Sequence, residues 1–304
     1  MSIATLLKVM ASQPKEAFFS GGEATLRGLA FFRLAQECSP KTEFHLQSNG
    51  ILIDEEWVSF FAEHGWIVGL STDGPHGQRG GDLRAPERAA EAFRAAGVVY
   101  TIICTVTRSN VLSASEAISC LAEQGEYLSF IPAKPRWVGD TEFTVTGEEY
   151  RDFMAVIASE VHPGGVEVAV RQFQEARAAW MRRPLSCEQT TECGTYLRID
   201  PDGSVTPCDF AGPEWRLGSV WDDVPLGSFL SHPKMAEFRA KKALRTPECE
   251  SCGVIQGCHR GCPASRFLVA GDFTTLDPHC EARKFLAEIT RPRCSSPASC
   301  SGSG

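Results

Sequence analysis

Ten of the thirteen cysteines in this 304-residue chain lie after residue 186, and no other feature limits the possible folds so strongly. An odd cysteine total, with no basic stretch leading into a long apolar segment at the N-terminus, argues against a disulfide framework and for metal ligation. Cys187 and Cys193 are separated by five residues, and Cys208 follows in TPCDF. Cys249-x2-Cys252 comes next, then five residues to Cys258, three to Cys262, and a late Cys280. Cys294 and Cys300 fall in the Ser/Pro/Gly-rich tail RPRCSSPASCSGSG, where no ligand role is expected. The other eight form two sets of four thiolates, and four thiolates hold either a zinc ion or an iron–sulfur cluster. Ligand softness does not separate the two. One CxxC with otherwise wide, uneven gaps fits bulky clusters better than the paired knuckles of a zinc ribbon, and both alternatives stay open on spacing alone.

The rest of the composition excludes several classes. Hydrophobic residues make up 43% and charged residues 22%, as in an ordinary globular protein. A net charge of −8 leaves no electrostatic footprint for nucleic acid or an anionic membrane. No apolar run approaches membrane-spanning length, and a cytoplasmic location is expected. Seven histidines occur without HxxxH or HExxH spacing, so no histidine metal site is expected. Cys104 and Cys120 sit in apolar patterns and read as small core residues.

Residues 1–135 alternate short β-rich runs with amphipathic helical patterns. Strands are expected at Ala17–Ser20, Phe44–Ser48, Trp66–Ser71, Val98–Val106 and Tyr127–Pro132. This rhythm means a parallel sheet, open or curled into a barrel, with ligands at the C-terminal strand ends. Three polar clusters fall there: Ser20-Gly21-Gly22-Glu23, Gln47-Ser48-Asn49-Gly50 and Ser71-Thr72-Asp73-Gly74. Residues 136–184 read as a helical connector, residues 185–286 as a small cysteine-rich domain, and residues 287–304 as a disordered tail.

The Cys187-x5-Cys193 pair, DPDGSVTPCDF, ECESCGVIQGCHRGC and Cys280 together resemble a SPASM domain, the twin-cluster module of certain radical S-adenosylmethionine (radical SAM) enzymes. Upstream, GGE, LQSNGILIDEEW, GLSTDGP, TVTRSN and FIP are similar, in the same order, to segments of anaerobic sulfatase-maturating enzymes. The resemblance implies an α/β fold, a partial (β/α)6 radical SAM barrel followed by a SPASM domain. It implies two auxiliary [4Fe–4S] clusters with interleaved ligands: Cys187, Cys193, Cys208 and Cys262 for one, and Cys249, Cys252, Cys258 and Cys280 for the other. Gly21, Gly22 and Glu23 match the motif that meets the SAM amino group, Ser71 a serine that hydrogen-bonds SAM, and Arg79 a partner for the SAM carboxylate, with Arg84 its rival. Asp209 matches the acid that takes a proton from the substrate side chain, a role suited to a partly desolvated carboxylate. The implied reaction is oxidation of a Cys or Ser in a sulfatase-like protein or peptide to formylglycine, with an electron donor such as ferredoxin or flavodoxin.

The sequence departs from that pattern at its start. No CxxxCxxC occurs, and Cys38 is the only cysteine among the first 60 residues. Ser20 stands where many relatives carry glutamine, and Ala24 replaces the usual proline. By the resemblance, the chain is expected to lack the first β/α unit and the radical cluster, and so not to cleave SAM alone. A start codon placed too late, a gene fragment and a derivative that lost the radical step all remain open as origins.

Overall fold

The computed structural model describes residues 1–76, 82–135, 137–162, 164–244 and 246–292. Its first half runs α1 (Ile3–Met10), β1 (Glu16–Phe19), α2 (Leu29–Cys38), β2 (Glu43–Ser48), α3 (Glu55–His64), β3 (Ile67–Thr72) and α4 (Ala85–Ala96). It continues through β4 (Val99–Val106), α5 (Ala114–Gln124), β5 (Tyr127–Pro132), α6 (Gly147–Glu160), β6 (Ala169–Val170) and α7 (Arg171–Trp180). The six strands form one sheet in the order β1-β2-β3-β4-β5-β6, and every neighbouring pair is parallel. Sequential parallel pairing puts all C-terminal strand ends on one edge, so the three polar clusters share it.

Local chemistry explains the elements. In β2 the residues Phe44, Leu46 and Ser48 alternate inward, as period-two burial requires. The Asp54 carboxylate caps α3, accepting from the Glu56 and Trp57 amides at 3.0 and 3.1 Å. α6 carries a full capping box between Thr146 and Glu149. Between the sheet and α2–α3 lies an aromatic core, where Trp66 stacks on Phe44 at 4.6 Å and meets Phe32 edge-on at 5.8 Å. Each such buried side chain stabilises the fold by roughly 1.5–3 kcal/mol.

The stretch expected to be a connector belongs to the sheet. β6 pairs with β5 through Tyr127–Ala169 and Leu128–Val170, and Tyr150, Phe153, Met154 and Ile157 of α6 lie in the main core. A two-residue strand has no periodicity to read, which is why sequence reasoning passed over it.

The second half starts with a three-stranded antiparallel sheet, β7 (Arg198–Ile199), β8 (Ser204–Thr206) and β9 (Gly218–Ser219). It goes on through α8 (Pro233–Ala243), α9 (Pro247–Glu250), α10 (Ile255–Cys258), α11 (Pro263–Ala270) and α12 (Cys280–Ile289). α12 returns to the first half, with Ala282 and Leu286 in the main core. The helix runs to Ile289, so the ordered chain extends past the expected start of the tail. Among the described residues no helix is long and apolar enough to cross a membrane.

Candidate functional site

None of the eleven described cysteines is in a disulfide, and eight of them gather in two places. Cys187 sits in a short 3-10 turn, Cys193 in the next loop, Cys208 just after β8 and Cys262 at the N-cap of α11. Cys193, Cys208 and Cys262 are buried, the first two against Trp215 and Phe238. Burial pushes the Cys187 thiol up to about 12, reinforced by Glu188 and by Cys262, Cys193 and Cys208. Burial pushes Cys193 up to about 11, with Cys208 and Cys262 adding to it. Cys262 is among the charges that raise Cys187, Cys193 and Cys208, which places the four side chains in a single neighbourhood. A metal bound there takes thiolates, so loading it releases protons.

Cys249, Cys252, Cys258 and Cys280 line one cavity of about 380 Å³ including its mouth, together with Arg260 and Arg283. Burial pushes Cys280 up to about 11, opposed by Lys284. Thr246 caps α9 and accepts from the Cys249 amide at 3.4 Å, which orients the CxxC loop.

The CHRGC segment separates the two sets. His259, Arg260 and Gly261 have φ of 50°, 69° and 67°, three successive left-handed residues. They reverse the chain between Cys258, which lines the cavity, and Cys262, which does not. A side chain at Gly261 would place Cβ 2.1 Å from Asp277 Oδ2. Only glycine fits there.

Among the described residues, the only group of three His, Cys, Asp or Glu ligand atoms within 4.8 Å of one another is Glu16, Glu43 and His45; no three cysteine sulfurs come so close.

Between the cysteine sets runs an ionic chain that sequence reasoning missed. Glu188 Oε1 accepts from Lys134 Nζ at 2.9 Å, and its Oε2 accepts from Arg283 Nη2 at 2.5 Å. Arg283 Nε lies 3.1 Å from Asp277 Oδ1, while Asp277 Oδ2 accepts from the Cys262 amide at 2.8 Å. Burial alone would raise Glu188, but Arg283 and Lys134 hold it well below the usual carboxylate range. The available signal was adjacency: Glu188 follows Cys187, and Arg283 is one helical turn after Cys280.

At the strand-end edge, Gly21 and Gly22 have φ of 90° and 51°, and a Cβ on either would meet nothing within 4 Å. The backbone is therefore open to close approach by a ligand. Glu23 ties this loop to the end of β2. Its Oε1 accepts from Ser48 Oγ at 2.8 Å and Thr25 Oγ1 at 2.6 Å, and its Oε2 accepts from the Asn49 amide at 2.8 Å. Ser71 stands near the end of β3, half-buried. Arg79 lies outside the described residues, and Arg84 forms an exposed pair with Glu87 at 3.2 Å. Asn110, also missed, binds the β3 and β4 ends together by donating to Asp73 O and Thr105 O, each at 2.8 Å.

Asp209 keeps solvent access, yet the protein around it raises its pKa; Arg198 and Lys134 oppose the rise. The Arg198 guanidinium donates to the Asp209 carbonyl at 2.6 Å. Lys134 lies 4.3 Å over the Phe210 ring, so the Asp209-Phe210 turn faces the end of β5.

Residues 187–253 match the SPASM family, an iron–sulfur cluster-binding domain. The cysteine-type anaerobic sulfatase-maturating enzyme of Clostridium perfringens is 29% identical over 300 residues, covering 90% of this chain and 81% of that protein. The chain carries a SPASM domain and is homologous to the anaerobic sulfatase-maturating enzymes. A serine-type homologue from Bacteroides thetaiotaomicron is 26% identical, over 83% of this chain and 70% of its own length. The structure of native anSMEcpe with bound AdoMet and the Kp18Cys peptide superimposes with a TM-score of 0.82 at 26% identity, covering 95% of this chain and 88% of that one. The expected α/β class and parallel sheet are those of this structure, and the named relatives are sulfatase-maturating enzymes.

Proposed function

We propose that this chain works in formylglycine formation, oxidising a Cys or Ser side chain of a protein or peptide substrate. The carrying observation is the pair of four-thiol sites joined by the Glu188–Arg283–Asp277 chain, on a sheet whose ligand edge holds Gly21-Gly22-Glu23.

Cys187, Cys193, Cys208 and Cys262 hold one auxiliary cluster, and Cys249, Cys252, Cys258 and Cys280 the other. Bound there, the clusters supply one-electron acceptors insulated by complete cysteine ligation. Gly21 and Gly22 let the AdoMet methionyl end approach the backbone, Glu23 receives its ammonium group and Ser71 adds a hydroxyl, while the partner that the resemblance assigns to the AdoMet carboxylate, Arg79, lies outside the described residues. Asp209 takes the proton from the substrate thiol or hydroxyl, since its raised pKa makes the carboxylate a stronger base. An external electron-transfer protein such as ferredoxin or flavodoxin would supply the reductant that SAM cleavage requires and, in its oxidised form, would take up the electrons that these clusters accept.

The residues present do not fit a radical cluster, because the 304 residues contain no CxxxCxxC. The same observation favours a second reading, a non-catalytic iron–sulfur protein that keeps the peptide site.

Anaerobic reconstitution tests both, followed by iron and sulfide analysis, AdoMet calorimetry and mass spectrometry of Cys and Ser peptides under reductant. Aldehyde formation supports the first reading. Bound but intact AdoMet beside two reducible clusters supports the second. Zinc without sulfide overturns both.

A further inference from the structure

α8 buries Met235, Phe238 and Lys242, the i, i+3, i+7 face that packing normally reserves for apolar residues. Lys242 is 1% exposed. Its ammonium group donates to Glu188 O at 2.8 Å, to Cys187 O at 3.4 Å and to Gly261 O. All three acceptors are backbone carbonyls, so no carboxylate pairs with this lysine directly. One turn earlier, Arg239 Nη2 donates to Gly194 O at 2.9 Å. α8 thus grips the loops that carry Cys187, Cys193 and Cys262.

A desolvated ammonium group is expensive unless an anion lies near it. The nearby carboxylates are already engaged: Glu188 by Lys134 and Arg283, and Asp277 by Arg283. Within this ionic chain Lys134, Lys242 and Arg283 stand with Glu188 and Asp277, one more cation than carboxylates, and Lys242 is the cation held by carbonyls alone. Four thiolates around a cluster provide the missing negative charge.

We propose that Lys242 is a positioning residue for the first cysteine set, clamping the Cys187 and Cys262 segments together and supplying the buried positive charge that offsets the thiolates. A fixed positive charge beside a cluster stabilises its reduced form more than its oxidised form, which raises its midpoint potential. This inference rests on the cluster assignment made above.

The test compares the reconstituted wild-type chain with K242M, K242Q and K242R, reading iron, acid-labile sulfide and the midpoints from EPR-monitored redox titration. Wild-type protein without iron or sulfide overturns the cluster assignment, and this inference falls with it. With clusters present, K242Q keeps a donor but not the charge, and one of the two midpoints moves negative while the other stays. K242M also loses about half the iron, because only the first site depends on the clamp. K242R keeps the wild-type pattern. If K242M does not accumulate as folded protein, the comparison of K242Q with K242R decides. Unmoved midpoints in K242Q with wild-type iron overturn the inference, as does K242R behaving like K242Q.

Discussion

The Cys262 amide donates to Asp277 Oδ2 at 2.8 Å, and the same carboxylate engages Arg283, which lines the cavity of the other cysteine set. One carboxylate therefore touches the framework of both sites. This contact forms only because Gly261 lets the chain pass so close.

G261A tests that closeness. The added methyl meets Asp277 on a left-handed backbone, so strain and overpacking together are expected to cost about 2–4 kcal/mol. Iron loading is expected to fall at both sites, measured as total iron per chain alongside the thermal midpoint.

E188Q leaves Lys134 and Arg283 without their shared carboxylate. The expected loss is about 2–4 kcal/mol, toward the low side for a buried pair because Glu188 keeps some solvent contact. The folded-state pKa of Glu188 lies below its ordinary 4.5, so its stabilisation is complete above that pH and disappears as the pH falls through the folded value. Denaturant titrations between neutral and acid pH are expected to show a shallower acid loss in E188Q than in the wild type.

E23Q removes the charge offered to the AdoMet ammonium group and keeps one acceptor oxygen, enough for either Ser48 or the Asn49 amide but not both. Losing a charge-assisted hydrogen bond costs about 1.5–3 kcal/mol, so AdoMet affinity is expected to fall about tenfold or more by calorimetry. An unchanged dissociation constant would remove Glu23 from the pocket.

D209N is expected to lower aldehyde formation by about 10²–10⁴, the span typical of a lost general base. Iron content and peptide affinity stay at wild-type levels, which separates a chemical role from a structural one. Equal turnover in D209N and wild type would assign the proton transfer elsewhere.

Iron removal by an anaerobic chelator is expected to loosen residues 187–279 far more than the sheet. The first half has its own large core, whereas the second half rests on small clusters around Val205 and Trp215 and on its ligands. Hydrogen exchange resolved along the chain checks this, with β2–β4 amides unaffected.

Local pattern made much of this legible. The β/α rhythm placed five of the six strands to within about two residues, and the cysteine spacing marked residues 187–280 as a metal-binding region, while its division into two sets came from the resemblance. Both signals live in short windows, where pleat, helix turn and ligand spacing dictate residue type directly. What only the tertiary structure decided depends on residues far apart in the chain. β6 is a strand because β5 offers Tyr127 and Leu128 as partners, and α12 is core because α6 receives it. Lys134 and Glu188 meet across 54 residues, and Glu188 and Arg283 across 95. Lys242, which sequence alone marks as one more surface cation, becomes buried because the segments at Cys187-Glu188 and Gly261 close over it. Charge pairing of this kind carries no period and no fixed spacing, so the folded chain alone sets it.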